Sequence, residues 1–171
     1  MTLDFRVKLE VRFSQYDFLK KLFNSLPECM KIGRKFTAAP EYLFKTTDNS
    51  CPLNGRRKEE FHTITAKTLW VSQRTRPDVQ LSVGFCCTII QEPTEHDWKK
   101  LTHLISYLWT TRCIPLIIMS DGKDTFIYIN GAHAVHSYCK GHSGLFVTQG
   151  KGAMISVSKK IRVSDEQFYR D

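Results

Sequence analysis

Residues 61–111 read FHTITAKTLWVSQRTRPDVQLSVGFCCTIIQEPTEHDWKKLTHLISYLWTT, and this run decides the fold. At its centre lies the basic turn Arg74-Thr75-Arg76-Pro77-Asp78. Upstream, Phe61, Ile64, Thr65, Leu69 and Trp70 make an irregular apolar series ending at Val71, with Lys58, Lys67 and Arg74 at polar positions, which predicts a helix ending near the turn. Pro77 then ends one helix and opens the next. Its fixed φ suits a first helical position, and Val79, Val83, Cys86 and Ile90 follow at helical spacing. A further helix is expected from Pro93-Thr94-Glu95-His96-Asp97. Thr94 can cap the first amides there, and Asp97 takes the capping-box position, where the helix dipole favours an acid. The stripe Trp98, Leu101, Leu104, Ile105, Leu108, Trp109 then faces a core. The polar faces and turns of these helices carry Lys67, Arg74, Arg76, Lys99, Lys100 and Arg112, a distribution that suits an anionic partner and equally an ordinary solvated surface.

On the N-terminal side, Leu3, Phe5, Val7, Leu9, Val11 and Phe13 alternate strictly, the pattern of a strand with one buried face. Ser14 followed by Asp17 starts an amphipathic helix through Phe18, Leu19, Leu22, Phe23 and Leu26, closed by Pro27. Residues 27–57 read as a connector, with a single helical turn around Glu41 to Phe44. A connector of that length is unusual inside a compact domain, so it is expected to border a unit or to lie against a partner. Beyond Cys113 the hydrophobic period changes from helical to two, which marks a second unit. Pro115 to Met119 is a short strand, Asp121-Gly122 is a hairpin turn leading to a strand through Phe126, Tyr128 and Asn130, and Leu145–Thr148 with Ala153–Val157 flank the turn Gln149-Gly150-Lys151-Gly152. Ser164 can start a final helix over Val163–Asp171.

The 171 residues suffice for one ordinary domain or two small ones, and a 42% hydrophobic content can supply a core. Twenty-five Lys and Arg against seventeen Asp and Glu give a net charge of +8, which favours nucleic acid or another anionic surface over a cationic partner. The six cysteines form no Cys-x-x-Cys pair, and no leading apolar segment resembles a signal peptide, so a reducing intracellular setting, cytoplasmic or nuclear, is expected. No apolar run is long enough to cross a bilayer.

The order of these features resembles the C-terminal part of the polymerase polyprotein of copia-type retrotransposons, from the end of the reverse transcriptase into its ribonuclease H domain. The resemblance is carried by Met1-Thr2-Leu3-Asp4-Phe5, Tyr16-Asp17-Phe18-Leu19-Lys20-Lys21, Leu26-Pro27, Arg74-Thr75-Arg76-Pro77-Asp78-Val79-Gln80 and Pro93 with Trp98-Lys99-Lys100-Leu101. It continues in Ala134-Val135-His136, with His142 and Gly144 ahead of Gly150-Lys151-Gly152, and so covers nearly the whole chain. It implies an α+β chain: residues 1–57 as the end of the palm and a connector, 58–112 as thumb-like helices that grip a template–primer duplex, and 113–171 as a truncated ribonuclease H-like antiparallel sheet. Lys67, Arg74, Arg76, Lys99 and Lys100 become the expected contacts to nucleic acid, either duplex or RNA–DNA hybrid.

Both enzymatic sites of such a protein are expected to be missing or broken. The paired aspartates of the polymerase belong upstream of a residue like Met1, which reads as an internal methionine. A family ribonuclease H domain holds a pair of magnesium ions with carboxylates, because two metals stabilise both oxygens of an in-line displacement. The first of those carboxylates falls on Asn130, an amide without the needed charge. The second falls on Glu166 only if a few residues have been lost between Ser156 and Ser164. Magnesium is therefore not expected to bind productively. His133, His136, Cys139 and His142 recur every three residues and invite a zinc reading, but structural zinc sites take ligands from separated knuckles, so none is expected. The leading expectation is an inactive retroelement fragment that binds nucleic acid weakly and without sequence preference. The alternatives are a piece of a live polymerase and nuclease completed by an upstream retroelement polypeptide, and an adopted protein-interaction module using the connector and the open sheet edges.

Overall fold

The computed structural model describes residues 1–46, 50–136 and 140–161. The chain is a mixed α+β protein of helices and antiparallel strands. It divides into two compact units, the first comprising Met1–Asp4 with Arg12–Leu116, and the second Phe5–Val11 with the described residues from Ile117 onward.

The alternation from Leu3 to Phe13 does not build one strand with a buried face. It builds two short strands, β1 (Thr2–Asp4) and β2 (Glu10–Ser14), paired antiparallel with Leu3 opposite Phe13. The chain reverses near Leu9, whose φ is 64°, and the Glu10 N–H donates to the Val7 carbonyl at 3.2 Å. A period of two survives a reversal, since both strands of a hairpin share it, so the pattern alone does not separate one long strand from two short ones. Leu3, Phe5, Val7 and Leu9 are all exposed.

The helices of the first unit are α1 (Tyr16–Asn24), α2 (Gly55–Ser72), α3 (Gln80–Thr88) and α4 (Glu95–Thr110). The Asn54 side chain caps α2 by accepting from the Arg57 N–H at 2.9 Å. At α4 the capping box is complete: the Thr94 N–H donates to the Asp97 carboxylate at 3.0 Å, and Thr94 Oγ1 accepts from the Asp97 N–H at 3.4 Å. Pro77 opens a short 3-10 turn, Pro77–Val79, before α3 takes over at Gln80. Because α3 stops at Thr88, Ile90 lies past its end and is only partly buried. Phe61, Ile64 and Val71 of α2 join Val83 and Cys86 of α3 and Leu101, Leu104, Ile105 and Leu108 of α4 in one core, with Leu19 and Leu22 of α1 alongside. Trp109, expected on that stripe, is 40% exposed because it sits about 100° around the helix from Leu108. Its ring still packs edge-on against Phe23, at 5.1 Å between centroids.

The connector between α1 and α2 belongs to this core. Met30, Leu43 and Leu53 are buried, the Ser82 hydroxyl donates to the Ala38 carbonyl at 2.9 Å, and the Leu53 N–H donates to the Pro93 carbonyl at 2.9 Å. The expectation that it borders a unit is thereby corrected, since it lies inside the first one. A stretch without periodic pattern packs here through scattered apolar anchors and backbone bonds. A turn spans 41–44, as expected, and another lies at 28–29, where the Met30 N–H donates to the Pro27 carbonyl at 2.9 Å.

In the second unit, β4 (Phe126–Ala132), β5 (His142–Thr148) and β7 (Ile155–Lys160) form an antiparallel sheet with β5 central. The β5–β7 hairpin matches expectation, with Val147 opposite Ile155. The Asp121-Gly122 hairpin does not. β3 (Leu116–Ser120) pairs with the two-residue β6 (Gly150–Lys151), and β4 pairs with β5, so the link after Gly122 carries the chain between two sheets. The β5–β7 turn itself supplies the partner of β3, as the Asp121 N–H donates to the Gln149 carbonyl at 2.9 Å. Glycine is required at Gly152, where φ is +76° and a Cβ would collide with the Ile117 carbonyl. All of β4 is exposed, with Phe126 and Tyr128 on one face and Ile127 and Ile129 on the other. The helix expected over Val163–Asp171 lies outside the described residues.

Candidate nucleic-acid interface

The five cations expected to meet phosphate fall into two groups. Arg74 is exposed just past the end of α2, and its guanidinium lies over the Trp70 ring, 4.8 Å from the centroid. Trp70 packs in turn on Phe18, at 4.6 Å. Lys67, on α2, is half-buried, and its Nζ donates to the Ser25 hydroxyl at 3.2 Å. Lys67 and Arg74 thus border one edge where α1 meets α2, with a partly exposed indole between them. Lys99 projects from α4 and is exposed.

Arg76 and Lys100 depart from expectation because both are buried and paired. Arg76 is 3% exposed; its Nε and Nη2 donate to the two Asp78 oxygens at 3.0 and 2.8 Å, and its Nη1 donates to the Thr111 carbonyl at 3.1 Å. The Tyr107 hydroxyl donates to Asp78 Oδ2 at 2.8 Å. Burial raises the Asp78 pKa, but the Arg76 hydrogen bonds and charge outweigh it, and the carboxyl is held below its usual range. Burial and the neighbouring Asp78 push the Tyr107 phenol up. Arg76 therefore braces the turn before α3 against the end of α4 instead of facing a ligand. Lys100 is 1% exposed, and its Nζ donates to Asp97 at 3.0 Å and to the Lys45 carbonyl at 2.8 Å, tying the capping box to the connector. A phosphate would reach either residue only by displacing these partners.

Lysines that periodicity could not single out lie beside Lys99. An open cleft of about 350 Å³ between α4 and the connector is lined by Lys31, Lys35 and Lys99 together with Tyr42, Trp98 and His103. Only the charge of Lys31 and Lys35 was visible in the sequence; their position depends on how the connector is bonded to α4.

In the second unit, Asn130 is exposed on β4 opposite Gly144 of β5, and Glu166 lies outside the described residues. Among the described residues no three His, Cys, Asp or Glu side chains are grouped to hold a metal ion. Of the His/Cys series, His133 is exposed and Cys139 lies outside the described residues. His136 and His142 are hydrogen-bonded to each other, Nε2 to Nδ1, at 2.9 Å, and His142 Nε2 meets the Ser158 hydroxyl at 2.7 Å. Burial, then His142 and Lys160, push the His136 pKa down to about 4, and burial lowers His142 as well. A histidine whose folded pKa is depressed stabilises least in acid, because the unfolded chain takes up protons that the folded site refuses. The histidine contribution to the sheet unit's stability should be complete above pH 6.5 and be lost progressively toward about pH 4. Urea midpoints followed at the Leu145 and Val157 amides should fall between pH 7 and pH 5, and fall less in His136→Gln; equal falls would contradict this origin.

A scan against protein-family models and searches of curated proteins and of solved structures each find no match to the chain. Among the described residues no helix is long and apolar enough to cross a membrane.

Proposed function

We propose that the chain is a catalytically silent relative of the copia-type polymerase and ribonuclease H, and that it binds duplex or hybrid nucleic acid weakly through Lys67, Arg74 and Lys99. The observation that carries the binding reading is the edge where Arg74 lies over the half-exposed Trp70 ring with Lys67 beside it, a cation–aromatic strip of the kind that tracks a phosphate backbone. Such contacts release counterions and carry no sequence information. Dissociation constants of roughly 10⁻⁴ to 10⁻⁶ M at physiological salt are expected. With Arg76 and Lys100 occupied internally, three contacts remain, which sets the log–log salt slope near about −2.7 on duplex. Titration of duplexes of different sequence at several salt concentrations tests this; sequence preference, or a slope near zero, would contradict it.

The silent half of the proposal rests on Asn130, which supplies a neutral amide where the family's nuclease has its first carboxylate. Purified protein should not cut the RNA strand of a hybrid in magnesium, and Asn130→Asp alone should not restore cutting, because one carboxylate does not make a two-metal site. Magnesium-dependent cleavage that survives stringent purification and disappears in Glu166→Gln would overturn it.

A further inference from the structure

The cleft between α4 and the connector is part of the first unit alone and is distinct from the edge at Lys67 and Arg74. Its walls are fixed by bonds between residues far apart in sequence. The Gly33 N–H donates to the Ser106 hydroxyl at 3.2 Å, the Lys35 N–H donates to Thr110 Oγ1 at 3.1 Å, and the His103 ring Nε2 meets the Thr37 carbonyl at 2.9 Å. Lys31 and Lys35 are thereby held on the same cleft as Lys99, all three of them exposed, and no carboxylate among the described residues lines it. Like charges gathered without a counter-charge repel one another, and an anion seated among them relieves that repulsion. Lysine presents a point charge of the kind that binds phosphate. The remaining wall is aromatic: Tyr42 is half-exposed and set edge-on against His96, at 5.5 Å. A volume of about 350 Å³ lies at the small end of the range for ligand pockets. That is too much room for a bare phosphate and suits a phosphate with a base and sugar attached.

We propose that this cleft binds a phosphorylated nucleotide, either free or as one residue of a single strand, with the phosphate among Lys31, Lys35 and Lys99 and the base against Tyr42. The site goes beyond the edge at Lys67 and Arg74 and shares only Lys99 with the proposed duplex contacts.

The test uses the full chain with deoxyadenosine monophosphate, adenosine, inorganic phosphate and an oligodeoxythymidine as probes, read by amide chemical shifts. Deoxyadenosine monophosphate should shift Gly33, Lys35 and Thr102 saturably, more tightly than either adenosine or phosphate. Lys31→Ala with Lys35→Ala should weaken it by about tenfold with an unchanged melting temperature, whereas Lys67→Ala with Arg74→Ala should leave it unchanged. If a strand is the occupant, the oligonucleotide saturates the same amides and the lysine pair lowers its salt slope by about 1.4. If a free nucleotide is the occupant, only the monophosphate does. Either result supports the site. Shifts that are absent, that lie elsewhere, that survive the Lys31 and Lys35 substitutions, or that inorganic phosphate reproduces at equal affinity would overturn it. Should Lys67→Ala with Arg74→Ala fail to weaken duplex binding while the monophosphate result holds, the edge reading falls alone.

Discussion

Arg76→Ala is expected to destabilise the helical unit by about 3 kcal/mol, the lower end of the range for breaking a buried ion pair. The loss stays at that end because the Asp78 side chain is 39% exposed and regains water when its partner goes. Arg76→Lys should recover only part of the stability. An ammonium retains the charge but cannot hold both Asp78 oxygens and the Thr111 carbonyl with one fork. The pH dependence follows the depressed Asp78 carboxyl. Its contribution is complete above the unfolded value of 3.8 and is lost as pH falls through the lower folded value. Urea unfolding of the native chain and both variants at pH 7 measures the effect. A change in Arg76→Ala below about 0.5 kcal/mol, the size of an ordinary surface substitution, would show that the brace contributes little.

Lys100→Ala should cost more, about 4 kcal/mol, since it empties a fully buried site and leaves the Asp97 carboxylate, 8% exposed, without its cation. Lys100→Met should cost less. Methionine refills the volume beside the Phe85 ring, over which Nζ now sits at 4.6 Å, though Asp97 remains unpaired. Pairing Lys100→Met with Asp97→Asn should then recover stability relative to Lys100→Met alone, because the buried charge is removed together with its partner. Thermal and urea unfolding read all of these variants. A Lys100→Ala protein as stable as native would mean that the lysine leaves the core at no cost.

These roles explain which features could be read from the sequence. The α4 capping box was legible because Thr94 and Asp97 are three residues apart and the chemistry is local. The core stripe from Leu101 to Leu108 was legible because helical spacing alone fixes which side chains share a face. Arg76 and Lys100 resemble surface cations because their carboxylate partners, Asp78 and Asp97, are local but the groups that complete their burial are remote: Thr111 is 35 positions from Arg76, and Lys45 is 55 positions from Lys100. The N-terminal hairpin and the pairing of β3 with β6 were hidden for a related reason. Alternation specifies which residues share a face but not which strand lies next door. The cleft lysines sit in a connector with no period to read, and Ser106 and Thr110 place them only once α4 has formed. The connector sends Met30, Leu43 and Leu53 into the core but leaves Phe36 81% exposed, so the protein-interaction alternative keeps the outer side of the connector as well as the exposed β4 strand.

The central claim is that the basic side chains divide into buried braces and surface contacts, and that only the second kind binds nucleic acid. The most direct measurement is the affinity for an RNA–DNA hybrid across a salt series, for the native chain, for Lys67→Ala with Arg74→Ala and Lys99→Ala, and for Lys100→Met. Folding of each is checked by its melting curve, and binding is read well below the lowest melting temperature. The triple substitution should weaken binding by about tenfold or more at low salt and flatten the salt dependence from a slope near about −2.7 toward zero, while Lys100→Met keeps the native affinity and slope. Native affinity and slope in a folded triple variant, or loss of binding in a folded Lys100→Met, would contradict the account.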